Sequence, residues 1–290
     1  MDSSDQIDWA WQGEPMRLGV TRLGAGPTIL LLPAMSSIST REEMRPLQTL
    51  LSTSYATVSV DWPGFGDQPR PLVDWRPDAY RAFLAHVLAE IAPKPLATIA
   101  VGHAAAYALQ QAAATPGSAG ALCLIAPTWR GPMPTVSGKP AGSFEWFVGL
   151  VDAPGIGALV YALNVNPLVL RVMGRGHVYA DAAFLTPQKL AEKLRVTRTP
   201  GARHASVRFV TGQLDPFDDR ASFLAAARRV KDPMLLLYGA GTPRKSRSEM
   251  EALAGLPNVE THVLARGKLA VQEEEPAAVE EALRAFLGAL

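Results

Sequence analysis

Apolar residues gather in short runs at 28–32, 56–60, 96–101, 121–125, 234–238 and 259–264, each bounded by Gly, Pro or polar residues. Runs of this length read as strands buried on both faces. Between them, residues 40–51, 77–91, 104–114, 216–230, 246–253 and 276–287 place apolar side chains at helical spacing. Residues 7–11 and 16–22 read as a hairpin ahead of this series. The alternation predicts an α/β fold with a mostly parallel central sheet flanked by helices. Local signals fix several boundaries. Thr40 followed by Glu43 is a capping-box pattern, Pro77 and Pro276 stand where a first helical turn tolerates proline, and Glu273-Glu274-Glu275 reads as the acidic first turn of the last helix.

From about 129 to 208 the alternation stops and the chain becomes rich in Pro, Gly and large apolar residues. A structureless stretch of that length does not suit a compact domain, so it is expected to carry helices of its own and to cover the sheet as a lid. The expected division is a core of 1–130 and 208–290 with an inserted lid at 131–207. Residues 144–151, 156–163 and 168–173 are expected to form the lid's own core, not a membrane-docking face, because no basic stripe accompanies them.

Composition narrows the function classes. At 290 residues, 48% hydrophobic and 19% charged, the chain has ample material for a buried core. A net charge of +1, from 28 basic and 27 acidic residues spread along the sequence, offers no field for nucleic acid or anionic lipid. Small, weakly charged partners fit better. The single cysteine, Cys123, lies in an apolar run and reads as core, and one cysteine suits a reducing compartment. The start Met1-Asp2-Ser3-Ser4-Asp5 is acidic where a secretory signal is basic and then apolar, and no run reaches the length of a spanning helix. The expected location is cytoplasmic.

Four motifs then identify a family resemblance. Asp61-Trp62-Pro63-Gly64-Phe65-Gly66-Asp67 follows the second parallel strand, and Val101-Gly102-His103-Ala104-Ala105-Ala106 stands between a strand and a helix. Gly239-Ala240-Gly241-Thr242 follows another strand, and Gly267-Lys268 precedes Glu274 and Pro276 at the last helix. In this order they resemble the D-x-P-G-x-G loop, the G-x-S-x-G nucleophile elbow, the G-x-x-D acid turn and the G-H-x-x-x-x-x-E-x-P segment of the α/β-hydrolase superfamily, in its lid-containing esterase and epoxide-hydrolase-like branch. The resemblance implies an α/β-hydrolase fold with an inserted helical lid. It also places Ala104, Thr242 and Lys268 where the family carries nucleophile, acid and histidine. No carboxylate stands at the family's alternative acid position, Ala126-Pro127-Thr128-Trp129. Asp61 reads as a structural hydrogen-bonding group.

An alanine has no atom that attacks a carbonyl, and the triad works as a unit, so ordinary Ser-His-Asp hydrolysis is not expected. After the first parallel strand the family's His-Gly is replaced by Pro33-Ala34-Met35-Ser36-Ser37, although backbone N–H groups of Met35 and Ala105 are still expected to hold a polar ligand atom. The expected ligand pocket lies between lid and sheet and is lined by Ala34, Met35, Ser36, Ala104, Ala105, Trp129, Trp146, Tyr161, Thr242 and Lys268, with Phe144 and Phe147 from the lid. An apolar small molecule (lipid, isoprenoid or pigment-like) or a protein partner fits it. A rival reading is a lyase, isomerase or substrate-assisted hydrolase using backbone donors and Lys268, and a third is a scaffold without a working pocket. A Ser-Lys pair of Lys268 with Ser36 or Ser37 is a lesser alternative, as are the lid histidines His177 and His204 with Asp181 or Asp215; His86 and His262 read as surface and strand residues. Neither metal-ligand spacing nor a nucleotide motif is present, and no cofactor is expected.

Overall fold

The computed structural model describes residues 3–290. Strands β1 (Ser3–Trp11) and β2 (Glu14–Leu23) form the expected hairpin. β3 (Thr28–Leu32), α1 (Arg45–Leu51), β4 (Ala56–Val60), α2 (Pro77–His86), β5 (Ala97–Val101), α3 (Ala104–Ala114) and β6 (Ala121–Ile125) then alternate. Helices α4 (Pro132–Ser137), α5 (Glu145–Asp152), α6 (Ile156–Asn164), α7 (Pro167–Met173), α8 (Pro187–Thr197) and α9 (Ala202–Thr211) follow β6, and α10 (Arg220–Arg229), packed against α3, leads into β7 (Met234–Gly239). The chain closes with α11 (Arg244–Ala254), β8 (Val259–Leu264), α12 (Val271–Glu274) and α13 (Pro276–Leu287).

The eight strands run in the order β1-β2-β4-β3-β5-β6-β7-β8, antiparallel through the hairpin to β4 and parallel from there on. From β3 the chain steps to β4 on one side and to β5 on the other. That reversal opens a crevice beyond the carboxyl ends of β3 and β5, where open α/β sheets hold their ligands. The inner strands are buried on both faces, Leu30, Leu31, Ile99, Leu122 and Leu235 among their core residues, so their sequences read as unbroken apolar runs.

The loop after β4 is rigid for a stated reason. Asp61 accepts from Arg41 N at 2.6 Å and from Arg41 Nη1 at 2.5 Å, and a Cβ at Gly66 would lie 2.6 Å from the Asp61 carboxyl carbon. Only glycine lets this backbone close over the buried ion pair. Asp61 is the structural group its motif implied.

Three expectations need correction. Thr40 caps the turn at Arg41–Met44 by accepting from Glu42 N, but Glu43 does not complete a capping box; its carboxylate turns inward to Ala34 N. Glu273-Glu274-Glu275 is not a solvated first turn: Glu273 is buried at the end of α12, and Glu274 accepts from Ala180 N and Asp181 N. The apolar pieces of the insertion do not all form a core. Phe144 and Val151 are buried, whereas Trp146, Ile156, Leu159, Leu163, Leu168, Val172 and Met173 are exposed. α6 is apolar nearly all round, so one face packs inward and the others are left in solvent. Among the described residues no single helix is long and apolar enough to cross a membrane.

Candidate functional site

The crevice is built first by the junction from β5 to α3. A nucleophile elbow holds its apex residue in a strained backbone conformation that lifts the side chain clear. Here the residue with positive φ is Gly102, at +57°, while His103 is already helical at −70° and Ala104 is the first residue of α3. The expected strain has moved two residues back, onto a glycine that carries it without cost. Ala104 is 0% exposed, and Ala105 and Met35 are buried beside it in the core. Ala105 N donates to Gly102 O at 3.2 Å. One expected donor is therefore already engaged within the turn.

The turns that carry Thr242 and Lys268, the positions the resemblance implies for acid and histidine, meet at the backbone. Gly241 N donates to Gly267 O at 3.1 Å, and a Cβ on Gly241 would sit 3.4 Å from Lys268 Cγ. Thr242 is buried, and its hydroxyl has no hydrogen-bond partner. Lys268 points elsewhere: its ammonium donates to Arg175 O, in the insertion, at 2.6 Å. It makes no Ser-Lys pair, since the Ser36 hydroxyl meets that of Ser39 at 2.8 Å.

Next to β3 lies a polar cluster that sequence reading missed. Glu43 accepts from Ala34 N at 2.5 Å, and Ala34 in turn packs toward Gly102. Lys193, from α8, reaches Glu273 at 3.0 Å; Lys189 reaches the same carboxylate at 3.2 Å, and the Tyr179 hydroxyl donates to it at 3.1 Å. Burial pushes the Glu43 carboxyl up to about 7, and the charge of Lys193 only partly offsets this. For Glu273 burial also acts upward, but Lys193 and Lys189 outweigh it and hold the group below the usual carboxylate range. Burial opposes the charge of Lys193 as well, and Glu273 more than restores it. The readable signal was Lys193 itself, a lysine three residues from both Leu190 and Val196 on the buried stripe of α8.

The histidines are structural. His103 Nε2 donates to Leu214 O at 3.0 Å, a carbonyl that also accepts from Tyr107 Oη at 2.7 Å. Burial pulls His103 down to about 4 and pushes Asp215, 3.6 Å away, up to about 8, so near neutral pH both are uncharged. His204 Nδ1 lies 2.6 Å from Asp152, which also accepts from Arg208 at 2.7 Å; this ties α9 to α5 and engages His204. His177 is exposed, Asp181 caps Ala183 N, and His86 and His262 lie half-buried and exposed. Cys123 is buried, and burial pushes its thiol up.

The expected pocket lining is thus dispersed. Trp129 lines a cavity of about 170 Å³ with Thr135, Lys245 and Glu249. Tyr161 lines another of about 330 Å³, between α6, α8 and α9, with Ala158, Ala162, Leu194, Thr197 and Arg198. Trp146 is 68% exposed and stacks edge-on with Phe147. Ala34, Met35, Ala104, Ala105, Thr242 and Lys268 line neither cavity.

Comparison with known proteins bears on this arrangement. The family described as Alpha/beta hydrolase family matches residues 29–282. Solved structures of similar fold include a hydrolase from Pseudomonas aeruginosa (17% identity, TM-score 0.71, covering 98% of each chain). A thermophilic esterase from Thermogutta terrifontis is also similar, at 17% identity and TM-score 0.73, covering 99% of this chain and 98% of that one. The enol-lactonase from Burkholderia xenovorans aligns at 17% identity and TM-score 0.71, over 97% and 100%. No curated protein matches the chain.

Proposed function

The chain belongs to the α/β-hydrolase family, and from that premise we propose that it is a non-hydrolytic member that binds an apolar small molecule within its helical insertion. One observation carries the reading: the residue in the nucleophile slot, Ala104, is fully buried in unstrained helix. An alanine side chain offers no electron pair to a carbonyl, and Gly102, which carries the positive φ of the turn, offers none either. Support for binding comes from the 330 Å³ cavity, half of whose lining is Ala, Leu, Val and Tyr, with Arg198 and Arg203 at hand for a polar end group. Its volume is within the range of small-molecule sites. The insertion then acts as a lid that has become the binding module, over a sheet retained as scaffold. Chemistry built on Lys268 has little support, because that ammonium is occupied by Arg175 O.

Native mass spectrometry of the purified chain tests the reading. A co-purifying apolar molecule is expected, and Ala162→Trp, which fills the cavity, is expected to lose it. Retention of the same molecule by Ala162→Trp would place it elsewhere, and a ligand-free chain that also takes up no fatty acid or isoprenoid probe would contradict binding.

A further inference from the structure

From Ala153 to Leu170 the chain carries no charged side chain, and this stretch is not interior. Leu159 is 61% exposed, Leu163 63% and Leu168 70%. Ile156, Leu159 and Leu163 stand at i, i+3 and i+7 of α6, and Leu168 and Val172 at i and i+4 of α7, so each helix presents one apolar face outward. Singly exposed leucines need no explanation, but two consecutive helices that expose Ile156, Leu159, Leu163, Leu168, Val172 and Met173 do.

Between Asp152 and Asp181 the charged side chains are Arg171 and Arg175. Both are exposed at the end of the apolar face, and neither has a carboxylate partner among the described residues. No acid occurs between Asp152 and Asp181, and Asp152 is occupied by Arg208 and His204. The exposed Trp146 stands on the adjoining α5, a residue type that prefers the boundary between headgroups and hydrocarbon. We propose that α6 and α7 dock the protein on an anionic lipid bilayer, the leucines entering the acyl boundary and Arg171 and Arg175 meeting lipid phosphates. A second copy of the chain is a poorer occupant, because a twofold contact would set this arginine-edged, acid-poor face against itself.

Geometry decides between lying on the membrane and crossing it. α6 has 9 residues, about 14 Å of helix, against a hydrocarbon core of about 30 Å. The chain also turns by 115° between Ala141–Asp152 and Ile156–Asn164. These helices lie in the interface plane. The inference rests on the exposed face and is independent of whether the cavity between α6, α8 and α9 binds a ligand.

Flotation of the full chain with vesicles tests it, using phosphatidylcholine alone and phosphatidylcholine with phosphatidylglycerol. Binding to the anionic vesicles is expected, with partitioning reduced more than about tenfold by Leu159→Glu/Leu163→Glu. Arg171→Gln/Arg175→Gln is expected to lower anionic binding by about fivefold per arginine and to remove the preference between the two vesicle types. All four positions are exposed, and unchanged thermal midpoints check that the variants are folded. No flotation with either vesicle, or wild-type flotation by the leucine variant, would overturn the proposal. So would a dimer, seen by analytical ultracentrifugation and dispersed by the same leucine variant, in a chain that ignores vesicles.

Discussion

Lys268 donates its ammonium to the carbonyl oxygen of Arg175 at 2.6 Å, joining the loop after β8 to the helical insertion. Ala270 N donates to Val178 O nearby, and Glu274 accepts from Ala180 N and Asp181 N. The loop after β8 therefore clamps the chain around residues 175–181. Lys268→Ala is expected to speed amide exchange across residues 174–181 by about fivefold, matching a partly exposed charged hydrogen bond of about 1 kcal/mol. Global unfolding should shift little. Exchange unchanged in this segment would show that the tether bears no load.

The Lys193–Glu273 pair makes a stronger demand. Both side chains are almost wholly buried, at 11% and 4% exposed. Glu273→Leu leaves Lys193 buried with no adjacent carboxylate but Glu43, and should cost about 3–5 kcal/mol in urea unfolding. Lys193→Met should cost less, because Glu273 keeps Lys189 at 3.2 Å. The double variant Lys193→Met/Glu273→Leu should be more stable than Glu273→Leu alone, since no ammonium is then orphaned at position 193.

Stability should fall as pH rises from about 6.5 to 8. Asp215 has its carboxyl raised from 3.8 to about 8 by burial, so the folded state holds a proton that the unfolded state has released. A raised group of this kind loses its contribution as pH climbs through the folded value. Glu43, raised to about 7, acts in the same direction. His103, lowered from 6.5 to about 4, acts oppositely but only below 6.5. Asp215→Asn keeps a side-chain oxygen for the Gly131 N–H and should flatten the thermal midpoint between pH 6.5 and 8. An equally steep fall in that variant would assign the dependence elsewhere.

Gly102 concentrates the conformational demand of the β5–α3 junction. A Cβ there would meet Ala34 Cβ at 3.5 Å, an ordinary contact, so Gly102→Ala carries the cost of a positive φ and little else. The expected loss is about 1–2 kcal/mol of unfolding free energy. Ala104→Gly, by contrast, should cost about 0.5–1 kcal/mol, the penalty of glycine in a helix.

Much of the scaffold was legible in sequence. Residues 28–32, 56–60, 121–125 and 259–264 form strands with the boundaries their apolar runs gave, and 104–114 and 276–287 are helices as their spacing implied. These elements obey local rules of period and capping. What was not legible depends on partners distant in sequence. Glu43 looked like a cap because Thr40 precedes it, yet its acceptor role is set by Ala34 across the β3 loop. Glu273 looked like a solvated first-turn acid, and only the packing of α8 brings Lys193 to it. Trp146 and Leu163 looked like lid core because they are apolar; periodicity cannot reveal that a helix apolar on all sides has more such surface than its neighbours cover.

The account stands or falls on the nucleophile slot, and intact-mass analysis after fluorophosphonate treatment of the wild type and Ala104→Ser interrogates it directly. Neither protein is expected to gain the adduct, because position 104 is buried in helix and position 268 carries no histidine but a lysine bound to Arg175 O. Stoichiometric labelling of a serine in the wild-type chain would contradict the account.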